Sequence, residues 1–153
     1  MFKYWDVFIY IVRMGPSMAA ERSCGAVVFT RVDGECRFVI IESRKGKFGF
    51  PKGHMEGSET ELETARREIM EEVSLDPVFI DGFRTESHYI LPEKKVPKTV
   101  VYFLAEYADQ VPKALESEVN SVRLLDYDEA MDVLQFEANR RILTEARDFI
   151  QGM

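Results

Sequence analysis

The segment from Ser58 to Asp76 limits the fold more than any other, because it reads as one amphipathic helix whose faces make opposite demands. Leu62, Ala65, Ile69 and Val73 recur at helical spacing and fall within about 80° of arc at about 100° per residue. That stripe needs an apolar layer to pack on. Ser58 followed by Glu61 has the spacing of a capping box, which predicts a helix over roughly Glu59 to Val73. Asp76-Pro77 stops it, since proline cannot continue a helix and restricts the residue before it. Glu68, Glu71 and Glu72 stand at i, i+3 and i+4, a quarter turn or more from the stripe, and Glu61 leans the same way. Like charges at these spacings disfavour a helix by about 0.2–0.5 kcal/mol per pair, so the pattern asks for a compensating cation. Carboxylate oxygens suit hard divalent ions, Mg²⁺ foremost with Mn²⁺ able to substitute. Alone, however, a glutamate-rich helix face is more often solvated surface.

The flanking sequence supplies the layer for that stripe. Ser23 to Thr30 and Arg37 to Ile41 read as strands joined at Asp33-Gly34, a strong hairpin signal. From Ser43 to Ser58 the chain is rich in Lys, Arg, Gly and Pro, which marks a long loop of the kind that often carries function. Val78 to Phe83, Thr99 to Glu106 and Ser121 to Leu125 are β-rich, with a polar loop from Leu91 to Pro97. Asp126 or Asp128 can cap a short helix through Leu134, and Ala138 to Ile150 reads as a final amphipathic helix. Strands, helix, strands and helices in that order predict an α+β fold, a mixed α/β/α sandwich.

At 153 residues the chain fits one domain, placed at 21–153, with 1–20 as an N-terminal extension, either an added strand or a poorly ordered segment. Met14 and Met18 are candidate alternative starts. The apolar run Val7 to Val12 is far short of the roughly 20 residues a membrane-spanning helix needs, so no membrane association is expected. A net charge of −7 argues against a broad basic face for double-stranded nucleic acid, although Arg44, Lys45, Lys47 and Lys52 and then Lys94, Lys95 and Lys98 leave room for a small polyanion. Cys24 and Cys36 lack C-x-x-C spacing, and only His54 and His88 offer imidazole, so neither a disulfide framework nor a zinc site is expected and a reducing cytoplasm is. A monomer is the default.

The stretch Gly53-x₅-Glu59-x₇-Arg67-Glu68-Ile69-x-Glu71-Glu72-x-Ser74-Leu75 resembles the Nudix box, departing from it only where Ser74 replaces glycine. The resemblance implies a Nudix fold, a mixed sheet between helices, and magnesium-dependent hydrolysis of a nucleoside diphosphate linked to another group. It also implies roles: Glu68, Glu71 and Glu72 as metal ligands with Gly53 at the metal loop, Arg67 paired with Glu59, and Glu68 as the first candidate for general base. Metal charge and a carboxylate base suit this chemistry, because hydrolysis of a phosphoanhydride builds charge on phosphoryl oxygens and needs an activated water. Ser74 falls where the family ends its helix on a left-handed glycine. Such backbone costs other residues about 1–2 kcal/mol, so a different terminating geometry is expected here.

Beyond the box, about Ser23 to Ile150 is similar to the asymmetric diadenosine tetraphosphate hydrolases. Pro51-Lys52-Gly53-His54, Glu63-Thr64-Ala65, Asp81-Gly82-Phe83, His88-Tyr89, Pro97-Lys98-Thr99-Val100-Val101-Tyr102 and Gln135-Phe136 carry the likeness. It implies cleavage of diadenosine tetraphosphate to ATP and AMP, with Tyr89 and Phe136 stacking on adenine, and Lys98 on phosphate. Lys52 and His54 are candidates to approach phosphate or the metal loop, with a structural loop role as the alternative, and Glu118 becomes an additional metal ligand with Glu116 its competitor. After Glu118 the chain departs from the subgroup, with Val119, Val122 and Leu124 in place of its histidine and Tyr-x-Trp strand. RNA with a 5′ triphosphate, a diphosphoinositol polyphosphate or an oxidised nucleoside triphosphate are the alternative substrates, and a non-catalytic nucleotide-binding module is the alternative class.

Overall fold

The Asp33-Gly34 turn takes left-handed backbone at both residues, φ 52° and 81°, as a two-residue hairpin requires. It joins β1 (Glu21–Val32) to β2 (Glu35–Ser43) in the computed structural model, which describes residues 20–115 and 117–153. Of the N-terminal extension only Ala20 falls within those residues, and Glu116 also lies outside them.

The remaining elements are β3 (Phe48–Gly49), β4 (Lys52–His54), α1 (Glu61–Val73), β5 (Val78–Phe79), β6 (Thr85–Leu91), β7 (Val96–Glu106), β8 (Val119–Leu125), α2 (Tyr127–Val133) and α3 (Glu137–Gln151). Among the described residues the eight strands form one mixed sheet. β1 runs parallel to β7, from Glu21 opposite Lys98 to Phe29 opposite Glu106, while the other pairings are antiparallel. Helices cover both faces, so β1 is apolar on both rather than alternating. Its Ala26 and Val28 meet Ile69 and Val73 of α1, whereas Val27 and Phe29 meet Ala130 of α2 and Ile142, Leu143 and Ala146 of α3. This is the expected α+β sandwich.

The long loop predicted over 43–58 wedges the sheet open. β1 pairs with β2 only from Phe29 to Val32, and its first half pairs instead with β4, Ser23 opposite His54 and Gly25 opposite Lys52. Gly25 has no room for a side chain, since a Cβ there would collide with the Pro51 carbonyl and Lys52. Ala26 N–H donates to that same carbonyl at 3.2 Å, which binds the loop to the strand. β4, so inserted, lies against α1.

Several expectations are corrected. The helix begins at Glu61, because Thr60 rather than Ser58 caps it: Thr60 Oγ1 accepts from Glu63 N–H at 3.1 Å and Glu63 Oε1 accepts from Thr60 N–H at 3.0 Å. Leu62 leaves the apolar stripe, 41% exposed. The β-rich run from Val78 to Phe83 pairs only over Val78–Phe79, then turns at Asp81-Gly82 to bury Phe83. The polar sequence Thr85-Glu86-Ser87-His88 hides β6, which pairs along β7 and is mostly half-buried, and the predicted loop from Leu91 to Pro97 shrinks to a tight turn.

Ser74 also departs from expectation: it caps α1 in the left-handed conformation itself, φ 60° and ψ 35°, its N–H donating to Met70 O at 3.0 Å. Leu75 behind it is fully buried and holds the chain on that path. Ser74→Gly should therefore stabilise the fold by about 0.5–1 kcal/mol, the relieved backbone strain less the added freedom of the unfolded chain, read as a higher urea midpoint at unchanged slope.

Candidate active site

The helix face turned toward β4 carries acid where a core helix would carry leucine. Glu68 and Glu72 are 7% and 6% exposed, and Glu68 packs so closely on Gly53 of β4 that a Cβ at residue 53 would overlap its carboxyl group. Lys52 N–H points at Glu72 Oε2 from 3.4 Å. Burial raises the affinity of both acids for a proton. For Glu68 the Arg67 guanidinium opposes that push, whereas the Glu72 carboxyl, with Glu68's charge pressing the same way, is pushed up to about 8.

Arg67 is the hub of the loop-to-helix junction. Its Nε donates to Glu59 Oε2 at 2.6 Å, and its Nη2 to Glu59 Oε1 at 3.0 Å and to the His54 carbonyl at 2.9 Å. Its Nη1 reaches Glu68 Oε1 at 2.9 Å and Glu71 Oε2 at 3.1 Å. This fork locks the loop on α1 with a geometry lysine could not reproduce. The Arg67 guanidinium, with Glu56 N–H and Thr64 Oγ1 donating as well, holds the Glu59 carboxyl down at about 2.

A third carboxylate arrives from the other side. Lys113 N–H donates to Val73 O at 2.9 Å and Leu115 N–H to Glu72 O at 3.1 Å, so the loop before β8 lies along the end of α1. It delivers Glu118, and one oxygen each from Glu68, Glu72 and Glu118 lie within 4.8 Å of one another. Two of these acids are buried and the third is exposed, leaving an approach from solvent. The donor set is all oxygen and clustered, and burying such charges is costly without a counter-ion, so the residues fit a hard divalent cation. Glu71 stays outside this trio, half-exposed and held by Arg67.

The end of β4 and the neighbouring β7 carry a basic group. Lys98 on β7 is 5% exposed, with Nζ 3.2 Å from His54 Nε2 on β4. Burial, with Lys52 and Lys94 pressing the same way, pushes the Lys98 ammonium down to about 8. Tyr89 faces Lys98 across the β6–β7 ladder and packs against the core, where burial raises its phenol. Phe136 stands apart from them at the start of α3, 46% exposed, its ring 5.8 Å from Lys47 Nζ.

The sequence from residue 21 to 146 matches the family model of the NUDIX domain. The chain belongs to the Nudix family. It is 38% identical over 146 residues to the asymmetrical bis(5′-nucleosyl)-tetraphosphatase of Sus scrofa, covering 88% of this chain and 98% of the relative. The enzyme of the same name from Rattus norvegicus is 36% identical over 143 residues, covering 86% and 96%. Among solved structures, the C. elegans Ap4A hydrolase in a binary complex superposes with TM-score 0.82 at 19% identity, covering 88% of this chain and all of the other, which shows the shared Nudix fold.

Sequence reasoning missed the carboxylate that sits beside this basic group and its link to Lys94. Glu21 Oε2 lies 3.1 Å from His54 Nε2, and Glu21 Oε1 accepts from Lys94 Nζ at 2.9 Å. The basic stretch Lys94, Lys95 and Lys98 was the available signal for Lys94. Nothing in the pattern pointed to Glu21, because its role depends on strand register. The burial of Glu68 and Glu72 was equally hidden, since Nudix glutamates read locally as surface.

The raised Glu72 carboxyl sets a pH dependence. Its folded value of about 8 exceeds the ordinary 4.5, so the ion-free folded state binds more protons between those limits and loses stability as pH rises through them. In chelator, Glu72→Gln should melt above the wild type at pH 8, and the gap should close toward pH 5. Parallel melting curves at all pH values would contradict this.

Proposed function

We propose that this Nudix chain is a magnesium-dependent hydrolase of dinucleoside polyphosphates, cleaving diadenosine tetraphosphate to ATP and AMP. Its likeness over nearly the whole chain to the asymmetrical tetraphosphatases supports the substrate. The observation that carries the reaction is the carboxylate cluster packed on β4 together with the basic group formed by His54 of the same strand and Lys98 of β7, a pairing suited to a metal-bound phosphate chain.

In this reading Glu68, Glu72 and Glu118 hold the cation, Gly53 lets its loop approach Glu68 closely, and Glu71 joins when its pair with Arg67 is exchanged. Held by these residues, Mg²⁺, or Mn²⁺ in its place, would supply positive charge for phosphoryl oxygens and would make a water more acidic. Glu68 is the general base: burial raises its proton affinity toward working pH, while the Arg67 hydrogen bond fixes its orientation. Arg67 and Glu59 keep the glycine loop on the helix so that these distances persist. Lys52, His54 and Lys98 meet phosphate oxygens, and Tyr89 and Phe136 offer ring faces to the adenines. The proposal includes a monomer acting on a small nucleotide, without duplex nucleic acid, in the cytoplasm, where the free Cys24 and Cys36 stay reduced. Among the described residues no helix is long and apolar enough to cross a membrane.

Product analysis with diadenosine tetraphosphate, RNA bearing a 5′ triphosphate, a diphosphoinositol polyphosphate and an oxidised nucleoside triphosphate tests the substrate. ATP and AMP should appear fastest from the first, and equal or slower hydrolysis of it would overturn the assignment. Glu72→Gln should cut turnover by orders of magnitude while the protein stays folded. Nucleotide binding without any metal-stimulated product would instead identify a non-catalytic module.

A further inference from the structure

A carboxylate occupies the place among the cations where a phosphate would be expected. Glu21, on the first residue of β1, spreads its two oxygens between Lys94 Nζ at 2.9 Å and His54 Nε2 at 3.1 Å. Lys98 Nζ stands 3.2 Å from the same imidazole nitrogen, and its backbone lies directly opposite Glu21 in the parallel β1–β7 ladder. Its two partners, His54 and Lys94, come from β4 and from the turn between β6 and β7, and Lys98 of β7 stands behind the imidazole. Such convergence on one acid resembles an anion-binding site with its anion already present. The Glu21 side chain is 24% exposed, so the position is open to exchange with solvent ligands.

We infer that Glu21 is an internal competitor for the phosphate chain, occupying the Lys94–His54–Lys98 group until a polyphosphate displaces it. This rests on the proposed phosphate-binding role of that group. A bound phosphate must take Lys94 and His54 from the carboxylate, and the displaced Glu21 remains nearby as a like charge. Both effects weaken the binding of every phosphate-bearing ligand, products included, which favours release over retention. A carboxylate with one negative charge loses to a chain carrying several, so the device selects for polyphosphates over monophosphates. Glu21 is thus a specificity-determining residue that acts on affinity and takes no part in the bond-breaking step.

The test is calorimetric titration of the full chain with inorganic tripolyphosphate in chelator, a probe that carries neither nucleoside nor metal. Glu21→Gln should bind it about fivefold to tenfold more tightly than the wild type, the scale of removing one charge beside a phosphate in a partly exposed site. Glu21→Ala should behave alike, and adding Lys98→Met should abolish the gain. Unchanged or weaker binding in both Glu21 variants, or a gain that survives Lys98→Met, would overturn the inference. A wild-type chain that leaves diadenosine tetraphosphate intact would defeat the proposed substrate but not this comparison. Failure of the tripolyphosphate comparison would remove the role of Glu21 while leaving the hydrolase reading in place.

Discussion

The structure is organised around the repulsion between two carboxylates that the fold buries side by side. Glu68 and Glu72 lie beneath the strand that Gly53 allows to pass, and Glu118 is brought to them by a loop bound to the end of the same helix. Burial of this kind lowers stability unless a positive charge is present. Among the described residues Arg67 and Lys52 answer part of it, but the Arg67 guanidinium is shared among Glu59, Glu68 and Glu71, and the Lys52 ammonium is itself destabilised by burial. The uncompensated remainder is what a divalent ion would relieve, so the fold gives up stability in the free state for affinity in the loaded one.

Much of the scaffold serves to keep that arrangement in register. The β3–β4 segment enters the sheet because Gly25 leaves space, and Arg67 then ties its far end to the helix through the His54 carbonyl and Glu59. On the opposite face Phe50 packs edge-on against Tyr102 with centroids 5.5 Å apart, which supports the loop from below. Gln135 adds a tether, accepting from Phe48 N–H at 3.0 Å and donating to the Gly46 carbonyl at 3.1 Å. The loop is therefore held at several points by side chains from different elements, although its composition reads as free coil.

What could be read from sequence follows the range of the forces involved. The Asp33-Gly34 hairpin, the Asp126 cap and the stops at the end of α1 are local, and the chain displays them directly. The start of α1 was misplaced because Ser58-x-x-Glu61 and Thr60-x-x-Glu63 satisfy the same rule. Tertiary structure chooses the second, which frees Glu59 for Arg67. Ser74 shows the converse, since propensity argued against left-handed backbone and the buried Leu75 beyond it overrode that preference. β6, the burial of the helix glutamates and the position of Glu21 depend on pairing partners remote in sequence, which no local pattern encodes. The box glutamates could be named beforehand, but their division into a buried pair that meets the exposed Glu118 and an Arg67-held Glu71 could not.

The most direct measurement is the anomalous difference map of a crystal soaked in Mn²⁺. The account predicts a peak bounded by Glu68, Glu72 and Glu118, with carboxylate oxygens about 2 Å from the ion. A map with no peak there, and with these three side chains unmoved, would contradict the claim that the buried acids exist to hold a cation.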